Sequence, residues 1–325
     1  MKDNLYYRAL PFEAKDMKGT FKGLKFEDGY ICLDGAAEGT FVSEPISVPA
    51  CNVLLVSWNA YRRDGSVEMF ISYKKSDGSF SRFFSYGFWG ELPSSKSCKT
   101  DDGTMDEDTL FTVGNTDTVI VKAVLTAGEL GNGDPRLFRF AVCGNGKPGF
   151  TVEKSTLPDE VCLDVKPRSQ MVIPKIGNII CSPTSTSMCM DYNGVDIPHD
   201  EFAAMAFDHG DKVYGNWLFN IAAAGEQGLV THYDMYDVGA AMYCLAKGTP
   251  LVFSIKSKEG DITNAPQAYP SGHLICVIGY RTIGGRLHFI VNDPASKTVE
   301  GVRREYDAEE LASTWKLNSV YVIRK

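Results

Sequence analysis

The chain has 325 residues, of which 44% are hydrophobic, 23% charged and 11% aromatic. That is about two average domains of ordinary globular composition, and it excludes a disordered chain, a collagen-like repeat and a disulfide-dense miniprotein. The net charge of -8, from 33 Lys and Arg against 41 Asp and Glu, argues against a nucleic-acid backbone or an anionic membrane as partner.

The first residues, Met1 to Arg8, contain no apolar core of signal-peptide length. No stretch reaches the ~18 uninterrupted apolar residues of a membrane span. Nine cysteines, an odd number with no CxxC among them, cannot all pair. They read as reduced thiols, mostly small buried hydrophobes, in a soluble cytoplasmic protein, with a secreted protein whose signal has been removed as the alternative.

Up to about residue 143 the chain reads as short strands between turn signals. Leu54–Tyr61 and Ser66–Tyr73 are strands, and Asp64-Gly65 between them is a hairpin cue. Phe80–Phe84, Thr118–Leu125 and Leu137–Val142 continue the pattern without any sustained helical period, so an all-β sandwich is expected for residues 1–150. Gly144-Asn145-Gly146-Lys147-Pro148-Gly149 is the expected linker. It matches GxGxxG, but Pro148 stands where the phosphate-binding helix has to start, and no amphipathic helix follows.

Residues 151–325 change character. Helices are expected from just after Cys181, and over His199–Asp208, Tyr214–Gln227 and Met235–Lys247. Strands follow at Leu251–Ile255, His273–Tyr280, Leu287–Val291 and Val299–Glu305. Asp307 with Glu310 opens a last helix to Trp315, and Val320–Ile323 closes the chain as a strand. Helices first and antiparallel strands afterwards is an α+β order.

Ser182-Pro183 is a helix-start signal. It sets Cys181 at a helix N-terminus, where the positive end of the dipole stabilises a thiolate. A thiolate nucleophile needs a base. His273 opens an otherwise apolar strand, with Gly272 before it leaving room for close approach. The imidazole in turn needs a group to orient it. Asp293 ends the next strand 20 residues on, as suits two antiparallel neighbours joined by the turn Thr282–Arg286. Taken singly, each of the three also fits a plain structural role. No histidine pair has zinc-ligand spacing, so no metal is expected.

The second half resembles the papain-like cysteine peptidases of the bacteriocin-leader-processing, peptidase C-thirty-nine-like type. The resemblance rests on Cys181–Met188, Tyr214-Gly215-Asn216-Trp217-Leu218-Phe219-Asn220, Gly272-His273-Leu274, Val291-Asn292-Asp293-Pro294-Ala295 and the Tyr321-Val322-Ile323 ending. It implies a papain-like fold with a triad of Cys181, His273 and Asp293. It also implies an oxyanion-hole glutamine, matched by Gln170, eleven residues before Cys181. Two departures, Ile180 where relatives carry an aromatic and Leu218 where they carry proline, bear on the wall of the cleft. The first half resembles a β-sandwich that accompanies such domains, on Ser57-Trp58-Asn59-Ala60 and the stretch from Asp101 to Leu110.

The acidic stretch Asp101, Asp102, Asp106, Glu107 and Asp108 lacks EF-hand spacing and reads as a solvated loop. Trp58, Tyr61, Phe83, Phe84, Tyr86, Phe88 and Trp89 read as sandwich core, with a binding platform as the alternative, and Trp217 reads as packing. The expected activity is hydrolysis of a peptide or other amide through a thioester on Cys181, with no cofactor. Transfer of the acyl group to an amine, attack on a non-protein amide, and a catalytically silent binding protein are the rival readings.

Overall fold

The computed structural model describes residues 8–130, 133–146 and 156–325. The expected 150/151 boundary, the linker residues Lys147–Gly149 and the stretch Met1–Tyr7 lie outside the described residues. The chain divides into two compact units. One comprises Arg8–Gly149 together with Phe207–Glu226, the other Phe150–Ala206 together with Gln227–Lys325.

The N-terminal unit is a network of twelve antiparallel strands, the all-β sandwich-like class expected. Its two longest strands, Ile46–Tyr61 and Thr109–Thr126, run side by side through its centre. The expected strands fall inside observed ones, except that the segment expected at Phe80–Phe84 forms its strand as Phe84–Trp89.

The Asp64-Gly65 cue does mark a turn, closed by Gly65 N–H donating to Arg62 O at 2.9 Å. The strands on either side of it are nevertheless not hairpin partners. Ser66–Tyr73 pairs with Thr109–Thr126 and Phe84–Trp89, while Ile46–Tyr61 pairs with Thr109–Thr126 and Arg136–Gly144. Ser66–Tyr73 and the Val53–Ala60 part of the longer strand are largely buried, and each strand takes neighbours other than the one across the turn.

The segment 207–226, placed by sequence with the second domain, packs in this unit. Helix α3 (Trp217–Glu226) lays Phe219 against Trp58 and Trp89, with ring centroids 6.2 and 5.6 Å apart. Asp108, expected in a solvated loop, is buried and its carboxylate accepts from Trp217 N–H at the start of that helix. Buried Asp208 accepts from Ser95 N–H, Ser95 Oγ, Gly210 N–H and Asn216 Nδ2, which fixes the loop before the helix. Trp58, Phe84, Tyr86, Trp89, Trp217 and Leu218 are core, and Phe88 alone of the expected aromatic set is exposed.

The C-terminal unit is α+β. Its antiparallel sheet runs in the order Val230–Met235, Trp315–Arg324, Leu251–Ser257, Tyr269–Ile283, Arg286–Asn292, Arg303–Asp307, with the short Val161–Cys162 added to Tyr269–Ile283. Val230–Met235 is a strand that helical spacing on both sides had obscured. Of the segment expected as Val299–Glu305, the first residues form a 3-10 turn and the strand starts at Arg303.

Helix α1 is Cys181–Tyr192 and α2 is His199–Ala206. Helix α4, Val238–Ala246, is capped by Asp237, and α5, Ala308–Thr314, by Asp307, whose carboxylate accepts from Glu309 and Glu310 N–H. One face of the sheet buries a core in which the Phe253 and Trp315 rings stack 3.9 Å apart. No helix among the described residues is long and apolar enough to cross a membrane.

Candidate active site

Helix α1 starts at Cys181 itself. Ile180, in the N-cap position, offers no side-chain cap, so no side chain competes for the first-turn N–H groups and the positive helix end. Burial pushes the Cys181 thiol up. Its hydrogen bond with His273, the charge of that ring, and the backbone N–H groups of Leu274 and Ser182 outweigh burial and hold it below the ordinary thiol value. Elsewhere burial wins, alone at Cys51, raised to about 11, and against a hydrogen bond with Tyr236 at Cys244, raised to about 12. Of the eight thiols expected to be packing residues, Cys98 and Cys162 are in fact exposed.

The hydroxyls of α1 position its N-terminus. Thr184 and Ser187 bond back within the helix, Ser182 Oγ pairs with Tyr321 OH at 3.1 Å, and Ser185 Oγ donates to Leu274 O at 3.0 Å. The last of these ties the nucleophile helix to the residue following the histidine.

His273 lies in the strand Tyr269–Ile283, and a hairpin through Gly284-Gly285, with φ of +58° and +82°, returns the chain antiparallel as Arg286–Asn292. Asp293 follows directly. His273 Nε2 meets Asp293 Oδ1 at 2.8 Å; since an ionised carboxylate only accepts, that nitrogen carries the proton and Nδ1 is left for the sulfur. Asp293 is fully buried. Oδ1 also accepts from Ala295 N–H at 3.0 Å, and Oδ2 accepts from Tyr269 OH at 2.7 Å and Tyr306 OH at 2.6 Å.

Burial raises Asp293, but the imidazolium and the two phenols outweigh it and hold the carboxyl below its usual range. Burial lowers His273, but Asp293 and then Cys181 outweigh it and raise the imidazole well above its ordinary value.

Gly272 does not serve close approach, as its spacing suggested: a Cβ there meets nothing nearer than Ile255 O at 3.9 Å. Its φ of +102° is the reason for glycine. Opposite the two-residue step Ile255 to Ser257, the histidine strand advances four residues, from His273 back to Tyr269. This bulge folds Tyr269 onto His273, with centroids 4.0 Å apart and planes at 14°.

Gln170 begins a 3-10 turn and is buried. Its Nε2 donates to Gly177 O at 2.6 Å, and its Oε1 has no partner among the described residues. An amide nitrogen carries two protons, so one remains for a ligand. Gln170 N–H donates to Pro294 O at 2.9 Å, and Ser169 Oγ donates to Ser296 O at 2.5 Å. The glutamine turn is thus clamped to the loop that follows Asp293.

The structure pairs His273 with Asp293 at 2.8 Å, sets Cys181 at a helix start where His273 acts to lower its thiol, and ties Gln170 to the Asp293 loop. Sequence reasoning passed over Tyr269, Tyr306, Ser185, Ser169 and Ser296. Their signal lies in a bulge and in cross-strand register, neither of which residue spacing reveals. Leu218 is fully buried in the N-terminal unit.

Residues 162–322 match the model of the family described as "Peptidase_C39 like family". All four expected site residues fall within that match. No curated protein matches the chain. Among solved structures it is similar to the peptidase domain of Streptococcus ComA, a bi-functional ABC transporter involved in a quorum sensing pathway. That similarity has 14% identity and a TM-score of 0.34, and covers 47% of this chain and 96% of that one. It is similar to xylellain, a cysteine protease from Xylella fastidiosa, at 15% identity and a TM-score of 0.38 over 54% of this chain and 90% of that one. It is also similar to the C-terminal CBM6 of LamC from Zobellia galactanivorans, at 12% identity and a TM-score of 0.24 over 42% of this chain and 98% of that one.

Proposed function

On the premise that residues 162–322 form a Peptidase_C39 like family domain, we propose that the chain is a cysteine peptidase that cleaves amide bonds through Cys181, His273 and Asp293, with Gln170 as oxyanion donor. The observation that carries this reading is the 2.8 Å bond of His273 to the buried Asp293 carboxylate, with Cys181 at a helix start and its thiol lowered by that imidazole. A cysteine lowered at a helix start beside a raised imidazole exists as a thiolate–imidazolium pair.

In the reaction, the Cys181 thiolate attacks the amide carbonyl. The second Gln170 Nε2 proton and the Cys181 backbone N–H donate to the developing oxyanion. His273 gives its proton to the leaving amine as the C–N bond breaks and a thioester to Cys181 remains. Water, deprotonated by the now neutral His273, attacks the thioester and releases the acid and the thiolate. Asp293 keeps the ring oriented and the imidazolium stabilised throughout.

The substrate is a peptide or a related amide. A cytoplasmic setting, where thiols stay reduced, suits this chemistry. Digestion of an unbiased peptide library by the wild-type chain and by Cys181→Ala tests the reading. Cleavage products present with the first and absent with the second are expected; identical product sets, or none from either, overturn it.

A further inference from the structure

Asp293 Oδ2 is the one oxygen of the pair that His273 does not use, and two tyrosine hydroxyls from separate strands converge on it. Tyr306 comes from the edge strand Arg303–Asp307, in register with Phe289. Tyr269 comes from the strand that carries His273. Residues four apart in a regular strand lie about 13 Å from one another, so the 4.0 Å stack of Tyr269 on His273 exists only because the bulge around Gly272 folds the strand back.

We propose that Tyr269 is a positioning residue that fixes both partners of the His–Asp pair at once: its ring braces the imidazole by stacking on it, and its hydroxyl, with that of Tyr306, fixes the Asp293 carboxylate. The inference rests on the peptidase reading above and deepens it.

The bond to Asp293 holds one edge of the imidazole, and a ring lying flat against its face, 14° from coplanar, restricts its tilt and rotation at the cost of no polar group. An imidazolium additionally gains from the π-face. On the carboxylate side, a fully buried oxygen without donors is costly and turns toward any donor within reach. With both phenols on Oδ2 and Ala295 N–H on Oδ1, the Asp293 carboxylate has one orientation, the one that meets His273 Nε2.

The titratable and charged groups that face the pair are Cys181 from α1, Tyr269 from the histidine strand, and Tyr306 with Arg304 from the edge strand. Burial and then the charge of Asp293 push both phenols far above the ordinary tyrosine value. They therefore remain donors across the whole working range.

The test is the pH profile of Cys181 alkylation by iodoacetamide, read by peptide mass spectrometry, which needs no substrate. In the wild type, reactivity rises below the pH at which an ordinary thiol ionises. In Tyr269→Leu the ring is lost and that rise moves up by about one pH unit, a tenfold loss of thiolate at fixed acidic pH. The double variant Tyr269→Phe with Tyr306→Phe keeps both rings and strips both hydroxyls, and moves it by about half a unit, or threefold. Should Tyr269→Leu fail to fold, as judged by thermal unfolding, the double variant still reads the Asp293 half. Profiles of folded variants that superimpose on the wild type overturn the proposal. A wild-type Cys181 no more reactive than the exposed Cys98 and Cys162 instead overturns the peptidase reading itself.

Discussion

Ser185 Oγ donates to the backbone carbonyl of Leu274 at 3.0 Å, so the second turn of the nucleophile helix is tied to the residue next to the histidine. Both residues are buried. The bond fixes the distance between two elements that meet only in the fold, and the spacing of the Cys181–His273 pair depends on it.

Ser185→Ala leaves the Leu274 carbonyl without that donor, and a cost of about 1–2 kcal/mol in stability is expected. The effect on chemistry exceeds the effect on folding. Loosening the helix against the strand lowers kcat/KM by about tenfold or more, since sub-ångström placement governs such steps. Thermal unfolding and steady-state kinetics on a library-derived peptide check the two together.

Gln170→Ala removes a side-chain donor from the oxyanion without touching the thiolate. A fall in kcat of about 10²–10³ is expected, with the alkylation rate of Cys181 unchanged. A parallel fall in both measurements assigns Gln170 to the architecture of the site instead.

The pH dependence follows from the two shifts. Cys181 is lowered, by His273 against burial, so the thiolate–imidazolium pair accumulates as pH rises through a value below that of an ordinary thiol. His273 is raised to about 10, by Asp293 against burial, so the pair is lost only as pH rises through that region. The kcat/KM profile is therefore a bell with a broad neutral plateau and an alkaline limb near 10. In His273→Ala the rise of Cys181 alkylation moves above the ordinary thiol value, because burial then acts against the remaining backbone donors.

Phe219→Ala tests the membership of segment 207–226 in the N-terminal unit. Phe219 is fully buried between Trp58 and Trp89, and its truncation costs about 3–5 kcal/mol. The loss appears in the unfolding of the β unit, seen as earlier hydrogen exchange in the Ile46–Tyr61 strand.

Much of this was legible in the sequence. Cys181, His273 and Asp293 stand where a helix start and two strand ends put them, and the turn between the two strands is short enough to force adjacency. The helix caps at Asp237 and Asp307 obey local chemistry. What escaped was non-local. Asp64-Gly65 looks like a hairpin, but the segments flanking it are buried and find other partners. The segment around Phe219 carries a helical pattern in sequence, and nothing in that pattern reveals that its apolar residues complete a β core. Tyr269 sits four residues from His273, a spacing that separates side chains in any regular strand. Only the bulge permitted by Gly272 at φ +102° turns it into contact.

Activation of Cys181 as a nucleophile by its position is open to direct measurement. All nine cysteines are free, and Cys98 and Cys162 are exposed while Cys181 is only partly so. Site-resolved iodoacetamide alkylation at mildly acidic pH separates activation from accessibility. Cys181 is expected to react far faster than either exposed thiol and to lose that lead in His273→Ala. Rates ordered by exposure, with Cys98 and Cys162 ahead of Cys181, would contradict it.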